Sequence, residues 1–115
     1  MNIERIVPNL STSDLRRTVD EHVRTLGLQV VMDHGWIVTL ADSEGHQLSI
    51  VSADATAPEN PDVSVFVDDV NDAYDRAVAA GVEIIYPLTA ENWGVTRFFY
   101  RDRSGNVINV GTHSN

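Results

Sequence analysis

The chain has 115 residues, 43% of them apolar and 22% charged. That is the balance of one compact domain, and it excludes a disordered or low-complexity chain. Cysteine is absent, which excludes thiol catalysis, zinc–cysteine sites and disulfide scaffolds together. Eight Lys and Arg against seventeen Asp and Glu give a net charge of −9. Such a surface repels phosphate backbones, so nucleic acid is not an expected partner, whereas small cations are attracted. No apolar run approaches the roughly 20 residues of a membrane span, and Met1-Asn2-Ile3-Glu4-Arg5 lacks the features of a signal peptide. A cytoplasmic protein with no membrane partner is expected.

In chain order, Ile3 to Leu10 predicts a strand, with Pro8 placing it at an edge or disturbing its pairing. Ser11-Thr12-Ser13-Asp14 supplies helix N-cap residues, and Leu15, Val19, Val23 and Leu26 then recur at helical spacing up to Gly27. Gln29 to Asp33, Trp36 to Ala41 and Gln47 to Val51 read as three strands, the last two joined by the turn Asp42-Ser43-Glu44-Gly45. The stretch 53–61 carries two prolines and no periodicity, and reads as a linker.

Beyond it the order restarts. Val63 to Val67 predicts a strand, Asp68-Asp69 a helix start, and Val70, Ala73, Ala77 and Val78 the helix stripe ending at Gly81. Glu83 to Leu88, Thr96 to Arg101 and Val107 to Gly111 complete a second set of strands around the turn Asp102-Arg103-Ser104-Gly105. Leu10 to Leu15 lies over Val65 to Val70 at an offset of 55, and Asp42-x-x-Gly45-x-x-Leu48-x-Ile50 over Asp102-x-x-Gly105-x-x-Ile108-x-Val110 at an offset of 60. An internal duplication explains both. The expected fold is therefore α+β: two tandem βαβββ modules, about 1–52 and about 62–115, in a single domain 1–115.

A lone βαβββ unit covers one face of its sheet with its helix and leaves the other open. Two such sheets side by side would form a curved, trough-like mixed sheet with the helices outside. Alternation puts Leu48 and Ile50 on one face and Gln47, Ser49 and Val51 on the other; Ile108 and Val110 likewise oppose Asn109. A half-polar face turned away from the helices suggests a solvated ligand cleft.

Further motifs make the chain similar to a known family. They are Pro8-x-Leu10-x-x-x-Asp14-Leu15, Thr25-Leu26-Gly27-Leu28, Phe66-Val67 running into Asp68-Asp69-Val70, and Ala79-Ala80-Gly81-Val82. The clearest are Trp93-Gly94 and Phe99-Tyr100-Arg101-Asp102-x-x-Gly105-Asn106-x-Ile108. In this order they resemble the glyoxalase, bleomycin-resistance and extradiol-dioxygenase superfamily, the vicinal oxygen chelate fold, over nearly the whole length. The resemblance implies a trough that in the enzymes holds a divalent metal. Its ligand positions carry over to Val7, Ser49, Asp62 and Asn109. Val7 cannot ligate, Ser49 and Asn109 are poor neutral ligands, and only Asp62 is a good one. The expectation is a site without metal or other cofactor. His22, His34, His46 and His113 fall on a helix, a strand end, a turn and the tail, and are read as surface residues.

The resemblance then points to the metal-free, bleomycin-resistance-like branch, whose members are acidic dimers that sequester a flat cationic antibiotic. The ligand-binding candidates are Trp36, Ser49, Asp62, Phe66, Trp93, Arg97, Phe99 and Asn109, with no catalytic residue. Trp36 and Trp93 offer flat faces for stacking and cation–π contact. Phe66 and Phe99 line the cleft by alternation, Arg97 offers an anion or carbonyl contact, and Asp62 a carboxylate for a cation. Each has a plainer role open to it: core for Trp36, cleft floor for the phenylalanines, loop shape for Trp93, surface ion pair for Arg97, an exposed turn for Asp62. The expected function is a metal-independent binding protein for an aromatic or cationic small molecule. The alternative is a lyase or isomerase of the superfamily with a divergent or absent metal site, for which Asp62 is the one acid–base candidate. A homodimer, swapped or unswapped, is expected because a two-fold partner would cover the open sheet edges.

Overall fold

Each helix starts where an aspartate accepts from the backbone of its first turn and stops where a glycine turns left-handed. The computed structural model describes residues 1–113; the last two residues of the second predicted module lie outside them. Helix α1 (Leu15–Leu26) is capped by Asp14, which accepts from Arg17 N–H, and ends at Gly27 with φ 69°. Helix α2 (Val70–Ala80) is capped by Asp69, which accepts from Asp72 N–H, and ends at Gly81 with φ 74°. These caps satisfy amides and carbonyls that the helices cannot satisfy internally.

The duplicated turns repeat bond for bond. Asp42 Oδ1 accepts from the N–H groups of Glu44 and His46, both at 2.9 Å, and Asp102 Oδ1 from those of Ser104 and Asn106, at 3.0 and 2.9 Å. The second carboxylate oxygen meets His46 Nδ1 in one turn (2.7 Å) and accepts from Asn106 Nδ2 in the other (2.8 Å). Gly45 and Gly105 sit at φ 88° and 92°, where a side chain would be strained. The bonds from His46 and from Asn106, foremost among several, hold the Asp42 and Asp102 carboxyls below their usual range.

The strands are β1 (Ile3–Ser11), β2 (Gln29–Asp33), β3 (Ile37–Ala41), β4 (Gln47–Val51), β5 (Val63–Val67), β6 (Glu83–Ala90), β7 (Val95–Arg101) and β8 (Val107–His113). The predicted elements are all present in order, so the fold is α+β with two βαβββ modules. Pairing is mixed: β1 with β4 and β5 with β8 are parallel, while β2–β3, β3–β4, β6–β7 and β7–β8 are antiparallel. No described helix is long and apolar enough to cross a membrane.

The chain divides into two compact units, Val7–Asn60 and a second formed by Pro61 onward together with Met1–Ile6. The N-terminal residues thus join the second half, where Asn2 N–H donates to Asp68 Oδ1 at 2.7 Å and Asp68 N–H to Asn2 C=O at 3.1 Å. In the first unit, the β1–β4 register begins at Asn9, immediately after Pro8, which has no N–H to give. Its core sets Leu15, Val19 and Val23 of α1 against Val38, Leu40, Leu48 and Ile50. In the second unit, Val70, Ala73, Tyr74 and Ala77 of α2 meet Val67, Phe98 and Val110, and Tyr74 packs edge-on to Phe98 with centroids 5.0 Å apart. Strand β6 is irregular on both sides of Tyr86, between Ile84 and Thr89, a stretch that includes Pro87.

Candidate functional site

The face opposite the helix carries the polar residues in both units. In the first, Thr39 and Ser49 are cross-strand neighbours, and their hydroxyls share a buried hydrogen bond of 2.8 Å. That pair completes itself. In the second unit the face is chemically richer. Across β5, β8, β7 and β6 the register aligns Ser64, Asn109, Phe99 and Tyr86 in one row, and Phe66, Gly111, Arg97 and Thr89 in the next.

Arg97 is 2% exposed and lies against Glu91, Nη2 to Oε2 at 2.6 Å and Nε to the same oxygen at 3.0 Å. Tyr86 donates its hydroxyl to the other carboxylate oxygen at 3.0 Å. The hairpin turn sets this up, because Glu91 N–H bonds Val95 C=O at 2.7 Å and returns the chain toward Arg97. The guanidinium also lies 4.9 Å from the Trp93 and Phe99 ring centres and 5.6 Å from that of Tyr86. A buried charge needs such pairing. The rings that could hold a cationic ligand already face the chain's own cation. Glu91, with both oxygens engaged, positions Arg97 and is not free to act as a base.

Asn109 is 6% exposed and donates from Nδ2 to Ser64 Oγ at 3.0 Å, while its Oδ1 accepts nothing. Nδ2 therefore meets Ser64 and Oδ1 is the end left without a donor. Leaving a buried polar atom unsatisfied costs about 1–3 kcal/mol, which a donor from outside the chain would recover. Gly111 lies between Phe66 and Arg97 in the next row, where a Cβ would come within 3.3 Å of Arg97 Cβ and of Thr96 O, so glycine permits the close strand packing there. Phe66 stacks on His113 with centroids 4.7 Å apart, and the Arg5 guanidinium lies 4.2 Å over the Phe66 ring and within hydrogen-bond reach of His113 Nε2.

Of the residues expected at the site, Phe66, Trp93, Arg97, Phe99 and Asn109 come together here. Asp62 lies at the start of β5, and its Oδ2 accepts from Val107 N–H at 2.8 Å, so it ties two strand ends. Ser49 belongs to the first unit, bonded to Thr39. Trp36, also of the first unit, precedes β3, and its carbonyl accepts from Ser52 N–H at 2.9 Å and Ser52 Oγ at 3.0 Å. Sequence reasoning missed Tyr86, Glu91, Ser64 and Arg5, and took His113 for a tail residue when it ends β8. The signal for Glu91 was an acid just before the Trp93-Gly94 turn and a base just after it.

This arrangement defines a two-module α+β protein with a polar sheet face opposite each helix. The family model for the Glyoxalase/Bleomycin resistance protein/Dioxygenase superfamily matches residues 3–110, and the chain belongs to that superfamily. Several solved structures share the fold. A superfamily member from Vibrio splendidus 12B01 is 19% identical, with TM-score 0.74, covering 96% of this chain and 99% of its own. A methylmalonyl-CoA epimerase variant from Streptomyces coelicolor, in complex with 2-nitronate-propionyl-CoA, is 16% identical with TM-score 0.74, covering 99% and 100%. A structure described as an NAD-dependent benzaldehyde dehydrogenase from Legionella pneumophila is 12% identical with TM-score 0.80, covering 96% and 100%. No curated protein matches the chain.

The superfamily's enzymes imply a divalent metal, and the residues at the carried-over positions do not fit one. In the first unit they are an aliphatic side chain, Val7, and a hydroxyl already bonded to Thr39. In the second they are a carboxylate bonded to Val107 N–H and one amide oxygen. Among the described residues, no three His, Asp or Glu side chains gather as a cation would require.

Proposed function

We propose that the protein is a metal-independent small-molecule binder whose ligand sits on the polar face of the second unit. The observation that carries this reading is the buried Oδ1 of Asn109, which no donor in the second unit meets. A flat molecule with an N–H or O–H donor would satisfy it and stack against Phe66. The bleomycin-resistance-like role extends the reading to aromatic antibiotics. A cationic group on the ligand gains less, because Arg97 already occupies the Tyr86–Trp93–Phe99 surroundings.

The test is tryptophan fluorescence of a Trp36→Phe variant, which leaves Trp93 as reporter, titrated with bleomycin and other flat aromatic drugs in the presence of EDTA. Saturable quenching that Phe66→Ala and Asn109→Leu each weaken at least tenfold is expected. Retention of about one equivalent of nickel, zinc, iron or manganese per purified chain would overturn the metal-free reading. Drug binding indifferent to both substitutions would overturn the location. A homodimer accompanies this reading, supported by the exposed Val30 and Val31 on strand β2; sedimentation at micromolar concentration tests it.

A further inference from the structure

The helix-covered side of the second unit has an opening that the binding face does not share. Along α2, Ala73, Ala77 and Ala80 turn methyl groups toward a cavity of about 340 Å³. Its far wall is Val65, Phe98 and Val110, with Ile3 at one side. The corresponding positions of the first unit carry larger side chains, Leu15, Val19 and Val23, packed on Val38, Leu40, Leu48 and Ile50. The volume falls at the lower end of the range in which proteins bind small ligands, and an apolar lining of this size gains from displacing water.

One charged side chain lines the cavity. Arg76 uses its Nε on Asp72 Oδ2, at 3.1 Å, and is otherwise mostly exposed. A guanidinium has five N–H donors, so its Nη groups are left to meet an acceptor at the mouth. Asp72 also receives the N-terminal ammonium at 3.2 Å. The N-terminal ammonium and Arg76 thus share the Asp72 carboxylate, and the guanidinium is not saturated by it.

We infer that this cavity is a second small-molecule site, for a compact apolar chain or ring that ends in a carboxylate. The apolar part lies under α2 against Phe98, and the carboxylate meets Arg76. The site is separate from the face around Asn109 and stands whether or not that face binds a drug.

The experiment is an amide NMR titration of the full chain with octanoate, and with octan-1-ol as its neutral counterpart. Octanoate should move the resonances of Ala73, Ala77 and Phe98 saturably, with octanol at least tenfold weaker. Ala77→Leu should fill the space and abolish both, with thermal stability unchanged or raised. Arg76→Gln should bring the two affinities together. Phe66→Ala should leave octanoate binding intact, which separates this site from the drug-binding face. If Ala77→Leu does not fold, Ala80→Leu and Arg76→Gln decide the matter. The inference is overturned if octanoate gives no saturable shift, if its shifts centre on Phe66 and Asn109, or if the filling variants bind it as the native chain does. Shifts of the cavity residues with protein concentration alone, indifferent to octanoate, would assign the space to a second copy of the chain and overturn it equally.

Discussion

In the first half of the molecule, Leu15, Val19 and Val23 fill the seam beneath the helix, and Thr39 and Ser49 close the opposite face on each other. In the second half, alanines line a cavity under the helix, and the opposite face holds a buried ion pair and four aromatic rings. Caps and turns are nevertheless the same in both. A duplicated scaffold has kept its local geometry and diverged in what its side chains leave unfinished.

The contrast can be broken most severely at the ion pair. Arg97→Ala leaves the Glu91 carboxylate buried without its guanidinium, although Tyr86 still donates to it, and a cost of about 3–5 kcal/mol is expected in urea unfolding. Arg97→Met with Glu91→Leu should recover much of that loss, because the desolvation penalty disappears with both charges. In the filled seam, Leu40→Ala should cost about 2–5 kcal/mol. A much smaller loss there would show the first half to be as loosely packed as the second. The caps should behave alike: Asp14→Ala and Asp69→Ala are each expected to cost about 1 kcal/mol, and unequal values would expose a difference the geometry does not show.

The smallest effect is a pH dependence. Asp42 and Asp102 have carboxyls lowered in the folded state, chiefly by side-chain bonds from His46 and Asn106. Their contribution is fully present above the ordinary carboxylate range and is lost as pH falls through the lowered values. Thermal midpoints should thus be steady near neutrality and decline in acid, and Asp102→Asn should flatten part of that decline. An unchanged acid slope in that variant would show the turn carboxylate to be uncoupled from folding.

Much of this architecture was legible in the sequence. Caps, Gly stops and Asp-x-x-Gly turns are local signals, and alternation along β7 and β8 places Phe99 and Asn109 on one face. The strand ends were less so: β6 and β8 run two residues past their predicted limits, because pairing with β7 extends them beyond their apolar cores. The network around Arg97 was hidden for a different reason. Glu91 and Tyr86 reach it through a hairpin turn and an irregular register on β6, neither of which leaves a period in the sequence. The first six residues joined the second unit through Asn2 and Asp68, a pairing distant along the chain and invisible to local pattern.

The repeated aspartate turns have a consequence for how the chain reaches this state. Each closes an antiparallel pair whose strands are neighbours in sequence, the kind of contact that forms within microseconds. The parallel pairs join Asn9 to Ser49 and Ser64 to Asn109, and must wait until an entire helix has been threaded between their strands. Folding should accordingly begin at two separate hairpins, with the closure of each parallel pair setting the pace.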